Sequence, residues 1–225
     1  MSNDNLVILG AGGFAKKVYH YAKEVNKSLV ILGTGGFAKE VYHNAKDINY
    51  KRKIYFADDY TDTTELYGEE VIKNWKFHAN SEFIIGVGSP KAKKIMIKKA
   101  LEAGLKPAPT LIHPTAIVQD VIIGFGGIIC PNVVITANIK IGDYVTINIG
   151  ATIGHDTTIG HFTNIAPGVN ISGNNYIGMG CDIGTNSATK EKIEIISDTI
   201  IGMCSGVTKS ITEPGVYIGT PARRV

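Results

Sequence analysis

The chain has 225 residues and a formal net charge of +3 at pH 7, a length that suits one or two domains. Lysine and arginine are scattered along it and are dense only at 91–99, which argues against a dedicated nucleic-acid binder. The cysteines, Cys130, Cys181 and Cys204, are odd in number and show no CxxC spacing, so we expect no disulfide framework, no metal site and a cytoplasmic location.

The first apolar segment, LVILGAGGFA at 6–15, is too short to cross a bilayer. It follows polar residues and not the basic segment that opens a signal peptide. We therefore expect neither a secretion signal nor a membrane anchor.

A duplication occupies the start of the chain. Residues 6–23 recur as 29–46, and the copies differ only at positions 11/34, 17/40 and 21/44. Each copy predicts a buried strand, a glycine turn and a helix with one apolar stripe. The first copy has three possible placements: it adds an edge strand, replaces the second copy, or packs loosely.

The glycine turn of the second copy predicts an anion site. Gly33, Gly35 and Gly36 allow close backbone approach, and the helix that follows, with Lys39 in its first turn, offers free N–H groups to a phosphate. The motif differs only slightly from the dinucleotide fingerprint, because Ala38 stands at its last position. A nicotinamide-dependent enzyme therefore stays open as an alternative.

Acidic residues favour the second copy over the first. The segment KIYFADD at 53–59 predicts a strand directly behind it, which places Asp58 and Asp59 at a strand's carboxyl end, where open α/β sheets bind ligands. Behind the first copy, the next strand ends in Gly33 and Thr34 and carries no acid. We expect the second copy to form the site and the first to be an extra βα unit.

A third strand and a helix complete this half. The segment 82–89 predicts the strand, and Pro90 suits the first turn of a lysine-rich helix. We expect its lysines to face solvent, with an anion-facing role as the alternative. The proline-rich segment 107–114 predicts a linker that is neither helix nor strand, with a domain boundary near 110.

An isoleucine ladder fills the second half. Isoleucine occupies every sixth position from Ile117 to Ile183; Leu111 extends the register backward, and it resumes after a lapse at Thr189 to reach Val207. Positions i and i+6 share a face on a strand but not on a helix, so each ladder residue is expected to point inward. Hexapeptide repeats are typical of a β-solenoid with about five coils here.

Five motifs in this order carry a family resemblance: VILGxGGFAKEV, ADD, LIHPTA, N-x6-HD and GTPARR. Together they resemble the hexapeptide-repeat sugar acyltransferases, which include bacillosamine and perosamine N-acetyltransferases and sialic-acid O-acetyltransferases. The resemblance implies a Rossmann-like nucleotide-sugar-binding domain at 1–110, a three-sided left-handed parallel β-helix at 111–207 and a C-terminal cap at 208–225. It also implies a homotrimer with acetyl-CoA between neighbouring chains.

His155 and Asp156 match the catalytic histidine and following acid of that family. A histidine can take the acceptor's proton near neutral pH, and an adjacent acid can hold its tautomer. Because neighbours on a strand point opposite ways, this pair requires a corner at 155–156. Gly173 lies 18 residues later, one coil above His155, and its N–H can donate to the thioester oxygen.

Three further residues are assigned through the resemblance. Asn148 matches a position that orients the acceptor or the base. Asn164 stands where some relatives have a second histidine, so it can bind a ligand but cannot titrate. Arg223 lies at the end that is near the CoA nucleotide in the family, and an exposed tail is the alternative.

These expectations combine into one function with several alternatives. We expect an acetyl-CoA-dependent N-acetyltransferase acting on a nucleotide-linked 4-amino sugar in surface glycan biosynthesis. The same base and oxyanion donor would support O-acetylation of sialic acid or another sugar. A non-enzymatic nucleotide-binding trimeric scaffold is the alternative from a different class.

Overall fold

The computed structural model describes residues 28–225, so the first copy at 6–23 lies outside the described residues. The first region is built on a six-stranded sheet. Its strands are β1 (Leu29–Leu32), β2 (Ile54–Ala57), β3 (Glu65–Leu66), β4 (Glu69–Ile72), β5 (Glu82–Ile85) and β6 (Lys106–Pro107). Their order in the sheet is β3-β4-β2-β1-β5-β6, and all neighbours are parallel except β3 and β4.

Two helices pack on this sheet, α1 (Gly36–Asp47) and α2 (Pro90–Glu102), with a 3₁₀ turn at Trp75–His78. Ser89 caps α2, because its Oγ accepts the Ala92 N–H at 3.4 Å, and Pro90 fills the first turn as expected. Strand β1 is fully buried and pairs with both β2 and β5, so the chain order reverses beside it. Ligand sites of α/β sheets form at such a reversal.

The second region is a three-sided parallel β-helix whose strands stack as three flat faces. The first face contains β7 (Leu111–Ile112), β10 (Ile128–Ile129), β13 (Thr146–Ile147), β16 (Asn164–Ile165), β19 (Asp182–Ile183), β22 (Ile200–Ile201), β24 (Val216–Ile218) and β25 (Arg223–Arg224). The second contains β8 (Ile117–Val118), β11 (Val134–Ile135), β14 (Thr152–Ile153), β17 (Asn170–Ile171), β20 (Ala188–Thr189) and β23 (Gly206–Val207). The third contains β9 (Val121–Ile123), β12 (Ile139–Ile141), β15 (Thr158–Ile159), β18 (Tyr176–Ile177) and β21 (Glu194–Ile195), which completes five coils.

The ladder points inward along most of the β-helix. Ile147, Ile165 and Ile183, each 18 residues apart, are directly paired on successive coils and are at most 1% exposed. The lapse at Thr189 does not break the register, since Thr189 pairs with Ile171 and is buried. Its Oγ1 accepts the Ser172 N–H at 3.2 Å, which satisfies the buried hydroxyl.

The register prediction is wrong in the first coil. Leu111 pairs with Ile128, one residue away from the expected partner, and Ile117 is 55% exposed. Val118 pairs with Ile135 and so takes the position expected for Ile117. The cause is the corner between β8 and β9, which is one residue shorter than the corresponding corner of the next coil. The 18-residue pairing is therefore regained at Ile123, which pairs with Ile141.

The linker prediction for 107–114 is also wrong, because β6 and β7 both extend into it. Pro107 is tolerated since β6 is the edge of the sheet. Its neighbour Ala108 still donates its N–H to Phe83 O at 2.9 Å. The chain therefore passes from the sheet to the β-helix with its backbone hydrogen-bonded on both sides of residue 110.

The two regions are in contact through both helices. On α1, Asn44 Nδ2 lies 3.7 Å from Cys130 Sγ, and Asp47 Oδ2 lies 3.1 Å from His113 Nε2. On α2, the Lys93 side chain is 0% exposed and reaches the first face of the β-helix. The expectation that the lysines of 91–99 face solvent is therefore wrong for Lys93. Within residues 28–225, no helix is long and apolar enough to span a membrane.

Candidate functional site

A cavity of about 370 Å³ lies at the carboxyl ends of β1 and β2, against α2. Its volume suits a small-molecule ligand. The predicted residues Gly33, Gly35, Asp58 and Asp59 all line it. The remaining lining residues are Thr34, Tyr60, Trp75, Val87, Ala92, Ile95, Met96 and Lys99.

The glycine turn leaves one wall of this cavity open to close approach. Gly33 has a φ of +114°, and a Cβ there would lie 3.0 Å from Val87 Cγ1, so both conformation and space require glycine. Gly35 caps α1 and Gly36 begins it, and a Cβ on either would meet nothing within 4 Å. The first N–H groups of α1 are thus unobstructed. Lys39 lies on the exposed side of α1, outside the cavity lining.

Asp58 joins the two loops that form the cavity floor. Its Oδ2 accepts the Thr34 hydroxyl at 2.7 Å, and its Oδ1 accepts the Tyr60 N–H at 2.9 Å. The carboxylate thus ties the turn after β1 to the loop after β2. A ligand at this position meets a preorganised loop pair.

The duplication differs where the second copy makes specific contacts. Thr34, which bonds Asp58, corresponds to Ala11 in the first copy, and Asn44, which contacts Cys130, corresponds to Tyr21. The third difference, Glu40, is exposed. Alanine in place of Thr34 would remove the hydrogen bond to Asp58, and tyrosine in place of Asn44 would crowd the contact with Cys130.

Sequence reasoning missed two residues of this cavity, Trp75 and Lys99. The Lys99 ammonium lies 4.1 Å from the centre of the Trp75 ring and forms an ion pair with Asp59. Trp75 is buried, and its Nε1 has no hydrogen-bond partner within the described residues. The chain's single tryptophan and the alternative anion-facing role of the lysine run were the available signals.

A larger cavity, about 640 Å³, lies at the opposite end of the sheet. It is lined by 48–52, Glu82 and 108–112, and it contains neither the glycine turn nor the paired aspartates. Ser28, the first described residue, lies at this same end, since its main-chain O accepts the Glu82 N–H at 2.9 Å. The larger cavity is therefore not the one that contains the glycine turn and the aspartates. We place the candidate site in the smaller cavity, because its lining includes these groups.

The His155 corner lies between β14 and β15, as the predicted pairing required. Asp156 adopts a φ of +58°, which turns its side chain toward its neighbour. His155 Nδ1 and Asp156 Oδ2 are 2.7 Å apart, and Asn138 Nδ2 donates to Asp156 Oδ1 at 2.6 Å. The His155 side chain is 62% exposed, so its outer nitrogen is accessible.

The hydrogen bonds to Asp156 keep it ionised. The bond from His155 is the largest cause of the lowered pKa of Asp156, and the bond from Asn138 is the second. An ionised carboxylate only accepts hydrogen bonds, so His155 Nδ1 must carry the hydrogen in the neutral ring. The Nε2 lone pair of His155 is then available to accept a proton.

Gly173 lies against this nitrogen on the next coil. A Cβ built on Gly173 would be 2.6 Å from His155 Nε2, so any larger residue would displace the ring. The hydrogen bonds that the described residues make at Gly173 use its carbonyl oxygen, which accepts from Lys192 N at 3.1 Å and from Asn175 Nδ2 at 3.3 Å. Glycine at position 173 therefore leaves the space beside Nε2 free of a side chain from that residue.

The other predicted residues lie at different places in the chain. Asn148 is at the corner after β13, where its Oδ1 accepts the Ile149 N–H at 2.7 Å. Asn164 is on the first face and donates to Asp182 Oδ1 at 2.8 Å. Arg223 is exposed on the terminal strand β25. Within one chain these three do not join His155. No group of three or more His, Cys, Asp or Glu within residues 28–225 is arranged to hold a metal ion.

Comparison with known proteins finds similarity to both regions of the chain. Residues 28–100 match the family model described as the PglD N-terminal domain. The acetyltransferase domain of PglB from Neisseria gonorrhoeae FA1090, solved in complex with acetyl coenzyme A, is 28% identical, with a TM-score of 0.82 over 89% of this chain and 100% of that one.

Two further structures are similar over the same extent. A mutant of perosamine N-acetyltransferase from Caulobacter crescentus, in complex with CoA and GDP-perosamine, is 26% identical with a TM-score of 0.80, over 88% of this chain and 96% of that one. WeeI from Acinetobacter baumannii AYE is 26% identical with a TM-score of 0.82, over 89% of this chain and 100% of that one. The predicted fold, an α/β domain followed by a left-handed parallel β-helix, is confirmed.

Proposed function

Since the chain belongs to the hexapeptide-repeat sugar acetyltransferases, we propose that it transfers an acetyl group from acetyl-CoA to the amine of a nucleotide-linked amino sugar. The PglB domain carries acetyl-CoA in its crystal structure, and the perosamine N-acetyltransferase carries CoA with GDP-perosamine. Acetyl-CoA is the cosubstrate, and a 4-amino sugar destined for a surface glycan is the proposed acceptor.

The observation that carries this proposal is the arrangement of His155, Asp156 and Gly173. With Nδ1 donating to Asp156, Nε2 of His155 accepts the proton that the amine loses as it attacks the thioester. The Gly173 N–H borders the same space and is suited to stabilise the negative charge that develops on the thioester oxygen. Asp156 stabilises the imidazolium and holds the ring.

The cavity between β1, β2 and α2 is the proposed nucleotide site. Gly35 and Gly36 present unobstructed backbone to a phosphate at the start of α1, and Gly33 supplies the positive-φ turn before them. Asp58 and Asp59 border the nucleoside side, and Lys39 is positioned outside the lining for a distal phosphate. This supports the second copy as the working unit. Deleting residues 1–27 tests it, since an unchanged affinity for nucleotide sugar is expected.

We propose a domain division at residue 110, with nucleotide-sugar binding at 1–110, the acyltransferase at 111–207 and a cap at 208–225. The antiparallel pairing of β24 with β25 closes the last coil and supports the cap. A cytoplasmic location is supported by the three cysteines, which are all free.

A homotrimer is the proposed active unit. Asn148, Asn164 and Arg223 lie away from His155 within one chain, and a trimer would let a neighbouring chain bring them to the acetyl-CoA site. Large apolar side chains exposed at the corners of the β-helix support this contact, among them Ile149, Met179 and Met203. Light scattering on the purified protein, with three chains as the expected mass, tests it.

An acceptor screen tests the activity itself. UDP-, dTDP- and GDP-linked 4-amino sugars are compared with free sialic acid, with release of CoA as the measurement. Acetylation of one nucleotide-linked amino sugar is expected. Turnover of sialic acid alone would establish O-acetylation, and no release with any acceptor would favour a binding scaffold.

A further inference from the structure

Lys93 is a buried cationic residue at the contact between α2 and the β-helix. Its side chain is 0% exposed. Its Nζ donates to Thr146 Oγ1 at 2.8 Å and lies 3.4 Å from Tyr144 O and 3.5 Å from Thr163 O. Within residues 28–225, Lys93 forms no ion pair, which is unusual because a fully buried lysine is normally paired.

The same helix forms a wall of the nucleotide cavity. Ala92, next to Lys93, lines the cavity with Ile95, Met96 and Lys99 of α2. An aromatic column joins the same elements, since Tyr144 stacks on Phe83 of β5 and on Phe162, with ring centres 6.1 and 5.4 Å away. The position of α2 on the first face of the β-helix therefore sets the position of the cavity wall.

We propose that Lys93 is a positioning residue for the acceptor substrate, which fixes the α2 wall of the nucleotide cavity relative to the β-helix that carries His155. This rests on the proposed function, because it assigns the cavity to the nucleotide-linked sugar. Transfer needs the amine within bonding distance of the thioester, and a displacement of about 1 Å can lower a rate about 10²-fold. Lys93 acts through α2 and does not itself touch the reacting atoms.

The protonation state of Lys93 also depends on whether α2 is docked on the β-helix. Burial lowers the pKa of Lys93 to about 7, and the negative charge of Asp182 on the first face acts in the opposite direction. The other titratable groups facing this contact are Tyr144, whose pKa burial raises, and Lys94, which pairs with Asp198 at 3.0 Å. Above about pH 7 the docked amine is neutral and can both donate to the carbonyls and accept from Thr146.

The direction of the pH effect follows from the two pKa values. An undocked lysine titrates at 10.5 and the docked one at about 7, so between these values the docked form binds fewer protons. Docking of α2 is therefore expected to strengthen as pH rises above about 7, by up to about tenfold per pH unit, and to be independent of this lysine below it.

Amide hydrogen exchange in residues 90–102 measures this docking without any ligand. Wild type and Lys93→Met are compared from pH 6 to 9 after correction for intrinsic exchange rates. Wild-type protection is expected to rise above pH 7, whereas Lys93→Met is expected to be independent of pH and less protected than wild type at pH 9. Lys98→Met, on the same helix but 79% exposed, is the matched control and should follow wild type. A wild-type slope retained in Lys93→Met overturns the proposal.

Steady-state kinetics tests the effect on the substrate. Lys93→Met is expected to raise the KM of the acetylated nucleotide sugar about tenfold, with the KM of acetyl-CoA unchanged. Thr146→Val removes the acceptor hydroxyl and should reproduce the effect if Lys93→Met fails to fold. Unchanged acceptor KM in both variants overturns the proposal while the proposed function stands. If wild type acetylates no acceptor, the proposed function fails, and the substrate role of Lys93 fails with it. The hydrogen-exchange data would still decide whether Lys93 docks α2 on the β-helix.

Discussion

His155 and His161 occupy successive corners of one coil, and each lies beside an aspartate, yet their geometry gives them opposite chemistry. His155 Nδ1 faces the ionised Asp156 carboxylate and must donate to it. His161 Nδ1 instead accepts the main-chain N–H of Asp143 at 2.9 Å, with the Asp143 carboxylate 3.2 Å away. The neutral His161 ring therefore carries its hydrogen on Nε2 and has no outer lone pair.

The residue on the next coil differs as well. Gly173 follows His155 by 18 positions and leaves its Nε2 bordered by backbone, whereas Met179 stands in the same relation to His161. A histidine and an aspartate side by side are thus not sufficient for general-base chemistry. The direction of the bond at Nδ1 and the space above Nε2 decide which ring can take a proton.

Replacing the two histidines gives the largest expected difference. His155→Ala is expected to lower kcat about 10²- to 10⁴-fold, the usual contribution of a general base, while the molecular mass in solution and the melting temperature stay unchanged. His161→Ala, the matched control, should retain turnover within about threefold. Initial rates of CoA release measure both, and equal losses in the two variants would contradict the assignment of His155.

Filling the space above Nε2 should have the next largest effect. The methyl group of Gly173→Ala would stand 2.6 Å from His155 Nε2, so the ring must move, and an expected loss in kcat of about 10²-fold follows from the misplacement. Gly88→Ala is the control, because a Cβ there meets nothing within 4 Å. A Gly173→Ala variant as active as wild type would show that the ring moves aside without cost.

The geometry around His155 could be predicted from the sequence because the β-helix converts sequence distance into spatial distance. A period of 18 places Gly173 over His155, and the required corner at Asp156 is present. The same counting fails at Ile117, where one corner is a residue shorter. The tautomer of His161 could not be predicted, because it depends on a main-chain N–H of the preceding coil.

The cavity in the α/β region is less predictable from sequence because it is not periodic. Asp58 and Asp59 follow from the general rule for strand ends, but Trp75 and Lys99 approach from a 3₁₀ turn and from α2. Lys93 is the clearest failure, since its hydrogen-bond partner Thr146 lies 53 residues away. No local pattern distinguishes it from the exposed lysines of the same helix.

Removing one carboxylate at each corner tests the tautomer argument. Asp156→Asn is expected to lower kcat on the order of 10- to 100-fold, because an amide can donate to Nδ1 and so stabilise the wrong tautomer. The loss should be smaller than for a fully buried acid, since the Asp156 side chain is 43% exposed. Asp143→Asn keeps its main-chain N–H and should leave kcat unchanged. The tautomer argument fails if both variants lose activity equally.

The smallest effect is expected at Asn138, which touches neither histidine. Its Nδ2 bond to Asp156 Oδ1 at 2.6 Å holds the carboxylate in place and contributes to its lowered pKa. Because this bond is exposed to solvent, Asn138→Ala should lower kcat only a few-fold. Initial rates of CoA release measure this effect, and a kcat equal to that of wild type would show that the left-handed backbone corner at Asp156 orients the carboxylate without Asn138.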